Sequence, residues 1–142
     1  LKLKHNDKFT DNYTVAEALL IPTKIYVNLV QKVLEKINVL GMVHITGGGF
    51  YENIIRILPT GIGAELDLSN IEMPEVIEKF KEVCNVEEKE LYRVLNMGVG
   101  FIFIVDKESS QSVIDIATEL GEKAWIIGET VTGSGVKIKG ID

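Results

Sequence analysis

The sequence predicts an α+β domain, layered as α/β/α, in which helices flank a mixed β-sheet. Segments with helical apolar spacing and segments typical of strands alternate along all 142 residues, a length that normally forms one domain. The last strand segments follow one another directly, and this order favours a mixed sheet over a doubly wound fold. Apolar residues make up 46% and charged residues 25% of the chain, the balance of a globular protein.

The first residues predict little structure before the first helix. Residues 1–13 are polar without an apolar period, and we interpret them as a tail or a truncated connection before a domain of residues 14–142. Thr14 begins a short helix that runs to Leu19. Glu17 stands three positions after Thr14, which is the spacing of a capping box.

The next four elements alternate between helix and strand. A helix over about residues 25–37 has one apolar stripe, formed by Val27, Val30, Leu34 and Ile37. Residues 42–45 predict a brief interior strand, and residues 50–58 predict a second helix. Residues 62–68 alternate between apolar and polar positions, as a strand with one exposed face does.

The second half begins with two helices, one from Pro74 and one over residues 87–95. Residues 99–105 form the most hydrophobic segment and predict a central strand. The last helix begins with a cap at Ser109 or Ser110.

The end of the chain predicts a terminal hairpin. Gly121 ends the last helix, and strand segments follow at residues 124–127 and 130–132. A final strand at residues 136–138 closes the hairpin over the glycine-rich residues 133–135.

Composition excludes several classes of protein. The longest apolar run, Phe101–Val105, is far shorter than the roughly 20 residues of a membrane-spanning helix. No secretory signal precedes the domain, so we expect a cytoplasmic protein without membrane contact. The single cysteine, Cys84, excludes an internal disulfide. The chain begins with Leu1 rather than Met, from which we expect a fragment or a processed product.

The net charge of −6 arises from one block of sequence. Residues 65–90 contain nine acidic and three basic side chains, which accounts for the whole imbalance. Such a block repels a phosphate backbone, and no basic stripe offsets it, so we expect no binding to nucleic acid. We interpret the block as a solvated helix face; the alternative is an interaction patch.

The strongest local signal for chemistry is a glycine run between a predicted strand and a predicted helix. Thr46 is followed by Gly47, Gly48 and Gly49. Three glycines allow the backbone to approach a ligand closely, and a helix N-terminus attracts anions. The run predicts either a phosphate or carboxylate site, or only a tight turn. It matches neither the Walker loop nor the dinucleotide fingerprint.

Polar side chains near this run are the other candidate site residues. His44 lies two residues before Thr46, where a histidine is either a catalyst or a satisfied core residue. The helix after the run carries Glu52, Asn53 and Arg56. Asn53 can donate to an anion, and Arg56 can bind a phosphate or pair with Glu52 four residues earlier.

Asn96 is a second candidate, because it stands before Gly98 at the start of the most hydrophobic strand. Its amide either caps the preceding helix or orients a substrate. The sequence contains no Ser-His-Asp or Cys-His set and no metal-ligand spacing, so we expect neither a covalent nucleophile nor a metal held by this chain alone.

Four stretches are similar, in order and spacing, to motifs of one enzyme family. They are Leu19–Val27 (LLIPTKIYV), His44–Gly49 (HITGGG) with Glu52, Asn53, Arg56 and Pro59 behind it, Tyr92-Arg93 with Asn96–Gly100 (NMGVG), and Ala124 with Ile127–Glu129 and Gly133. From about Leu19 to Ile138 the chain resembles the C-terminal half of the phosphoribosylformylglycinamidine cyclo-ligase (aminoimidazole ribonucleotide synthetase) family. One departure is Asn28, where the family often has lysine.

The resemblance implies the C-terminal domain of an ATP-dependent ligase of de novo purine synthesis. Such an enzyme converts formylglycinamidine ribonucleotide to aminoimidazole ribonucleotide. The family's N-terminal domain, which binds ATP and Mg²⁺ and forms most of a homodimer, is missing from this chain. Because substrates lie between the two domains, we expect the chain alone to be inactive.

The reaction implied by the resemblance assigns roles to the candidate residues. ATP phosphorylates the formyl oxygen, the amidine nitrogen attacks the formyl carbon, and phosphate leaves. This chemistry needs positioning and charge stabilisation. We assign a phosphate group to the run from Thr46 to Gly49, with Glu52, Arg56 and Gly98 beside it. Asn53 and Asn96 orient the amide-like part, and His44 moves a proton or polarises the formyl oxygen.

Two alternatives remain. The chain is similar in architecture to C-terminal domains of formylglycinamidine synthase, selenophosphate synthetase and thiamine monophosphate kinase, although the Pro22-Thr23 and Asn96-Met97-Gly98 motifs favour the cyclo-ligase. A non-catalytic module that binds a phosphorylated ligand or a partner subunit is the other alternative.

Overall fold

The computed structural model describes residues 2–142 and contains six α-helices and five β-strands in this part of the chain. The helices are α1 Val15–Leu19, α2 Val27–Lys36, α3 Gly49–Ile55, α4 Glu75–Val83, α5 Glu88–Val94 and α6 Ser110–Glu119. The strands are β1 Val39–His44, β2 Ile62–Leu66, β3 Phe101–Val105, β4 Gly128–Thr132 and β5 Val136–Ile138. A single 3-10 turn, Lys107–Ser109, precedes α6.

The predicted α+β class with a mixed sheet is confirmed, although the strands form two sheets. In one sheet β1 pairs with β3 antiparallel. In the other the order is β4-β2-β5, with β2 antiparallel to β4 and parallel to β5. The alternation predicted for residues 62–68 is confirmed at Ala64, Leu66 and Leu68, which are buried, and at Glu65, which is exposed. Gly63 was predicted on the exposed face and is buried instead.

The predicted terminal hairpin is wrong. Strand β2 lies between β4 and β5 and pairs with both of them, whereas a hairpin would pair β4 with β5 directly. The link between β4 and β5 passes so close to Gly63 that a Cβ there would lie 2.8 Å from the Gly135 carbonyl oxygen. Residues 124–127 form no strand, although the carbonyl of Ile127 accepts a hydrogen bond from the Asp67 N–H at 2.8 Å.

Strands β1 and β3 are less enclosed than the sequence predicted. Among the described residues β3 pairs with β1 alone, and its five residues are all half-buried, so it is not a central strand. The interior position predicted for β1 is also wrong. Its side chains alternate instead, with Leu40 and Met42 exposed and Val43 buried. Both segments are apolar enough for a core, but too few strands lie beside them to enclose them.

The core consists of two clusters. The larger joins α3, α5, β2 and β5 around Phe50, Met97 and Ile138. The smaller joins α2 and α6 through Val33, Val113 and Ile116.

Two predicted details of the helices are wrong. In α2 the buried side carries Val33 with Leu29 and Ile37, whereas Val27 and Leu34 of the predicted stripe are exposed. The predicted serine cap of α6 is also absent, because Ser109 stands at the N-cap position without a side-chain cap hydrogen bond. The preceding 3-10 turn takes its place.

The first described residues are folded against the domain. Thr10 is buried, and the side-chain amide of Asn12 donates to the Glu75 carboxylate at 2.6 Å. The capping box predicted at Thr14 and Glu17 is confirmed. Residues 5–13 therefore lie close to α1, and Asn12 also contacts the start of α4.

Candidate functional site

The glycine run forms the turn between β1 and α3. Gly48 stands at the N-cap position of α3 with φ of +96°, and Gly49 begins the helix with φ of +52°. Side chains other than glycine rarely adopt these angles. The Gly49 N–H donates to the Thr46 carbonyl at 3.1 Å, which closes the turn. We call residues 46–49 the glycine loop.

Position 49 also requires glycine because its backbone lies very close to the backbone of α5. A Cβ at this position would lie 2.6 Å from the Arg93 carbonyl oxygen and closer still to that of Tyr92. Gly47 differs, since a Cβ there would meet nothing within 4 Å. Gly49 therefore serves packing, while Gly47 stands on the open side of the loop.

The Asn53 side chain stabilises the glycine loop through hydrogen bonds. It is buried, with 7% of its surface exposed. Its side-chain amide nitrogen donates to the carbonyls of Gly49 at 2.8 Å, Gly47 at 3.2 Å and Thr46 at 3.3 Å. Since this amide group is directed at the loop carbonyls, Asn53 fixes the conformation of the glycine loop.

Glu52 and Arg56 form an exposed ion pair on the outer face of α3. The Arg56 guanidinium lies 3.2 Å from the Glu52 carboxylate and also donates to the Asn53 side-chain oxygen at 3.3 Å. Exposed pairs of this spacing contribute only a few tenths of a kcal/mol to stability, about 0.3–0.5. The guanidinium can therefore turn toward an anion at small cost.

His44 is exposed and lies at the end of β1, where it packs with Tyr26 and Phe101. We call these three side chains the aromatic group. The His44 ring packs edge-on against Tyr26, with centroids 5.7 Å apart, and lies 6.1 Å from Phe101, its partner across the sheet. The Tyr26 and Phe101 rings are 5.4 Å apart. His44 is thus held by its neighbours while one side of the ring remains open to solvent.

The segment around Asn96 is a tight turn. The Gly98 N–H donates to the Asn96 side-chain oxygen at 3.1 Å, and the Val99 N–H donates to the Asn96 carbonyl at 2.8 Å. Met97 and Gly98 both have positive φ, +50° and +96°. The oxygen of Asn96 is therefore used within the turn, and its amide nitrogen is the atom that could reach a ligand.

The fold brings these two regions together. The Ile45 N–H, at the end of β1, donates to the Gly100 carbonyl at 2.9 Å. The Tyr26 ring covers Gly100 so closely that a Cβ there would lie 2.7 Å from its Cζ atom. The glycine loop, His44 and the Asn96 turn thus lie at the same end of the β1–β3 sheet.

A large cleft lies beside this group. It has a volume of about 1500 Å³, and its walls include Tyr26, Gly98, Gly100 and Phe101. The glycine loop and His44 do not line it. The walls of the cleft are largely apolar but also carry charged side chains, among them Lys24 and Glu122, which form an ion pair.

Tyr26 and Phe101 were not identified as site residues from the sequence. Burial raises the pKa of the Tyr26 hydroxyl, so this group stays protonated at neutral pH. Tyr26 does lie within the LLIPTKIYV stretch, which was the available signal. Its contact with His44 depends on the packing of α2 against the sheet, which local patterns do not show.

Within residues 2–142, the acidic, histidine and cysteine side chains form no group of three that could hold a metal ion. The helices in the same range include none that is long and apolar enough to cross a membrane.

The sequence matches a family described as AIR synthase related protein, C-terminal domain, over residues 1–141. The chain belongs to this family. The match to the AIR synthase related domain includes the first residues, which we interpreted from the sequence as a tail or a truncated connection.

Two relatives of this AIR synthase related domain carry the same name. A protein of Bacillus cytotoxicus named phosphoribosylformylglycinamidine cyclo-ligase is 49% identical over 126 residues, which cover 89% of this chain and 36% of the relative. A protein of Bacillus mycoides with the same name is 48% identical over 122 residues, or 86% of this chain and 35% of the relative. The chain therefore spans about a third of the length of these relatives.

A solved structure confirms the fold of the AIR synthase related domain. The crystal structure of E. coli HypE, a hydrogenase maturation protein, superimposes with a TM-score of 0.64 and 20% sequence identity. The superposition covers 82% of this chain and 36% of HypE. At this identity the likeness shows the shared fold.

The role of Asn53 leads to a test of stability. We expect Asn53→Asp to lower the free energy of unfolding by about 2 kcal/mol at neutral pH, because a buried carboxylate would face three carbonyl oxygens without a proton to donate. The folded state would raise the pKa of that carboxyl, so the loss should shrink as the pH falls and the acid regains its proton. Urea denaturation across a pH series measures both effects.

Asn96→Asp is the matched control for this test. It keeps the side-chain oxygen that accepts from the Gly98 N–H, and its side chain is only half-buried. Equal losses of stability in the two variants would contradict a special role for the Asn53 amide.

Proposed function

We propose that the chain is the C-terminal domain of an ATP-dependent phosphoribosylformylglycinamidine cyclo-ligase, which converts formylglycinamidine ribonucleotide to aminoimidazole ribonucleotide in purine biosynthesis. The observation that carries the proposal is the 49% identity to a protein of that name across 89% of this chain. The site geometry supports it, since the chain presents a positioned loop and polar groups.

The glycine loop is proposed to bind a phosphate group of the substrate or of ATP. Its open side at Gly47 admits a close ligand, and the Asn53 hydrogen bonds keep its backbone in one conformation. A loop fixed in advance gains affinity because little conformational entropy is lost on binding. Arg56, the C-cap residue of α3, supplies a positive charge at the end of the helix that follows the loop.

The proposed ring closure proceeds in two steps. The formyl oxygen attacks the γ-phosphorus of ATP, and ADP leaves. A lone pair of the amidine nitrogen then attacks the formyl carbon, the carbon–oxygen bond to the phosphoryl group breaks, and phosphate departs with the bonding electrons. Since phosphate is a good leaving group, the protein has to align the nitrogen with the carbon and move protons.

His44 and the Asn96 amide nitrogen are proposed to act at the reacting end of the substrate. His44 moves a proton or polarises the formyl oxygen, and the aromatic contacts from Tyr26 and Phe101 limit the orientations of its ring. Asn96, which lies in the turn before β3, orients the amide-like part of the substrate. Gly98 keeps the Asn96 turn closed, because its N–H binds the Asn96 oxygen.

From the family resemblance we propose that ATP and Mg²⁺ are held mainly by an N-terminal domain outside this chain. The complete protein would be a homodimer in the cytoplasm, as the resemblance implies, with the substrate between its two domains. The chain alone would then lack turnover.

Substrate-dependent ATP hydrolysis by the complete protein tests this proposal. We expect hydrolysis to be stimulated by formylglycinamidine ribonucleotide. Selenide, thiamine monophosphate, and formylglycinamide ribonucleotide with glutamine should produce no such stimulation. Stimulation by one of these three instead would identify a related enzyme, and binding of the ribonucleotide without hydrolysis would identify a non-catalytic module.

A further inference from the structure

Met97 has a backbone conformation that side chains rarely adopt. Its φ is +50°, and within residues 2–142 it is the one residue other than glycine with a positive φ. The left-handed region is crowded for any residue with a Cβ, and glycine is the usual residue there. Met97 stands in the Asn96 turn, residues 96–99. A long side chain at such a position indicates a constraint from the surrounding structure.

The Met97 side chain explains why this position is not glycine. It is fully buried, with 0% of its surface exposed, and belongs to the larger core cluster together with Phe50 and Leu91. The unbranched side chain of methionine can fill an irregular gap in a core. Its burial offsets the strained backbone. Glycine at position 97 would relax the backbone but would leave the turn without an anchor in the core.

Further contacts fix the rest of the Asn96 turn. Gly98 has φ of +96°, and a Cβ there would lie 2.5 Å from the Cδ atom of Pro74, the N-cap residue of α4. Val99 is buried, with 8% of its surface exposed. The turn is therefore anchored in the core at Met97 and Val99, and it packs against Pro74 at Gly98.

Asn96 is the residue whose orientation this arrangement sets. Its side-chain oxygen accepts from the Gly98 N–H at 3.1 Å, and its carbonyl accepts from the Val99 N–H at 2.8 Å. Both hydrogen bonds span Met97. A change in the Met97 backbone would therefore move the amide group of Asn96.

We propose that Met97 is a positioning residue, which acts on the substrate through the amide nitrogen of Asn96. The inference rests on the proposed function, in which Asn96 orients the amide-like part of the substrate. Because Met97 is fully buried, it acts without contacting the substrate. In a loose turn Asn96 could still donate a hydrogen bond, but in many directions, and a misplaced group loses most of its contribution to the rate. The loss therefore falls on kcat.

Kinetics of the complete protein test whether Met97 acts through Asn96. We expect Met97→Ala to lower kcat roughly tenfold or more, and Met97→Leu, which keeps an apolar anchor, to stay within about threefold of the parent. In a protein that already carries Asn96→Ala, Met97→Ala should change kcat by less than about twofold, since the positioned group is gone. Met97→Gly, which relaxes the left-handed backbone, is used instead should Met97→Ala fail to fold.

Ile138→Ala is the matched control for the loss of a buried side chain. Ile138 is 1% exposed and belongs to the same core cluster, but it lies in β5, outside the Asn96 turn. We expect its kcat to lie within about twofold of the parent at a temperature where both are folded. Hydrogen exchange followed by mass spectrometry should show the Gly98 and Val99 amides exchanging about tenfold faster in Met97→Ala than in this control.

Equal effects of Met97→Ala on kcat with and without Asn96→Ala would overturn the inference. A loss of kcat in Ile138→Ala as large as that in Met97→Ala would assign the effect to core stability and would overturn it as well. So would unchanged exchange of the Gly98 and Val99 amides in Met97→Ala. A parent protein without turnover would contradict the proposed function, and the inference with it, whereas any of the other results in an active parent contradicts the inference alone.

Discussion

Gly49→Ala is expected to lower the free energy of unfolding of the 142-residue chain by about 4 kcal/mol. The new Cβ would lie 2.6 Å from the Arg93 carbonyl oxygen and closer still to that of Tyr92, and both are backbone atoms that cannot turn away. The positive φ of +52° adds strain for any side chain. A thermal midpoint lowered by more than about 10 °C is the expected readout.

Gly47→Ala is the matched control, because a Cβ there meets nothing within 4 Å. We expect its stability to change by less than about 0.5 kcal/mol. In the complete protein the same variant should raise the KM for a phosphate-bearing substrate, since the methyl group stands on the open side of the loop. A large stability loss in Gly47→Ala would contradict the different roles of the two glycines.

His44→Ala is expected to reduce kcat of the complete protein about 100-fold, the typical contribution of a positioned proton-transfer group. Its side chain is exposed and packs only against the aromatic group, so the loss of stability should be about 1 kcal/mol or less. Steady-state kinetics together with thermal unfolding measure the two effects.

His5→Ala is the control for this variant. His5 is exposed in the segment before α1 and is used there through its carbonyl group. We expect its kcat to match that of the parent protein. A kcat for His44→Ala within a factor of two of the parent would remove His44 from the proposed chemistry.

Local signals predicted most elements of the fold. The capping pair Thr14 and Glu17 began α1 as expected, and the alternation of residues 62–68 identified the exposed and buried faces of β2. The order of strands was not predictable in this way. Strand β5 pairs with β2, far away in sequence, because this pairing satisfies both edges of β2, whereas turn signals report only on neighbours in sequence.

The prediction of the apolar stripe of α2 was wrong for a different reason. Apolar spacing indicates that a helix face seeks a partner, but it does not identify the partner. Leu29 and Val33 face α6, whereas Val27 and Leu34 are exposed.

The sequence indicated candidate site residues, which stay a prediction, but it did not indicate how they are arranged. The glycine run correctly indicated a turn between a strand and a helix. It did not show that Gly49 serves packing against α5, or that the Asn53 amide is directed at the loop carbonyls. Those roles depend on side-chain directions that only the folded structure shows.

Formation of aminoimidazole ribonucleotide is the most direct measurement. With ATP and formylglycinamidine ribonucleotide, we expect the complete protein to form this product with one ADP for each ring closed, and the 142-residue chain alone to form none. Failure of the complete protein to form the product would contradict the cyclo-ligase proposal. Product formed by the chain alone would contradict its dependence on an N-terminal domain.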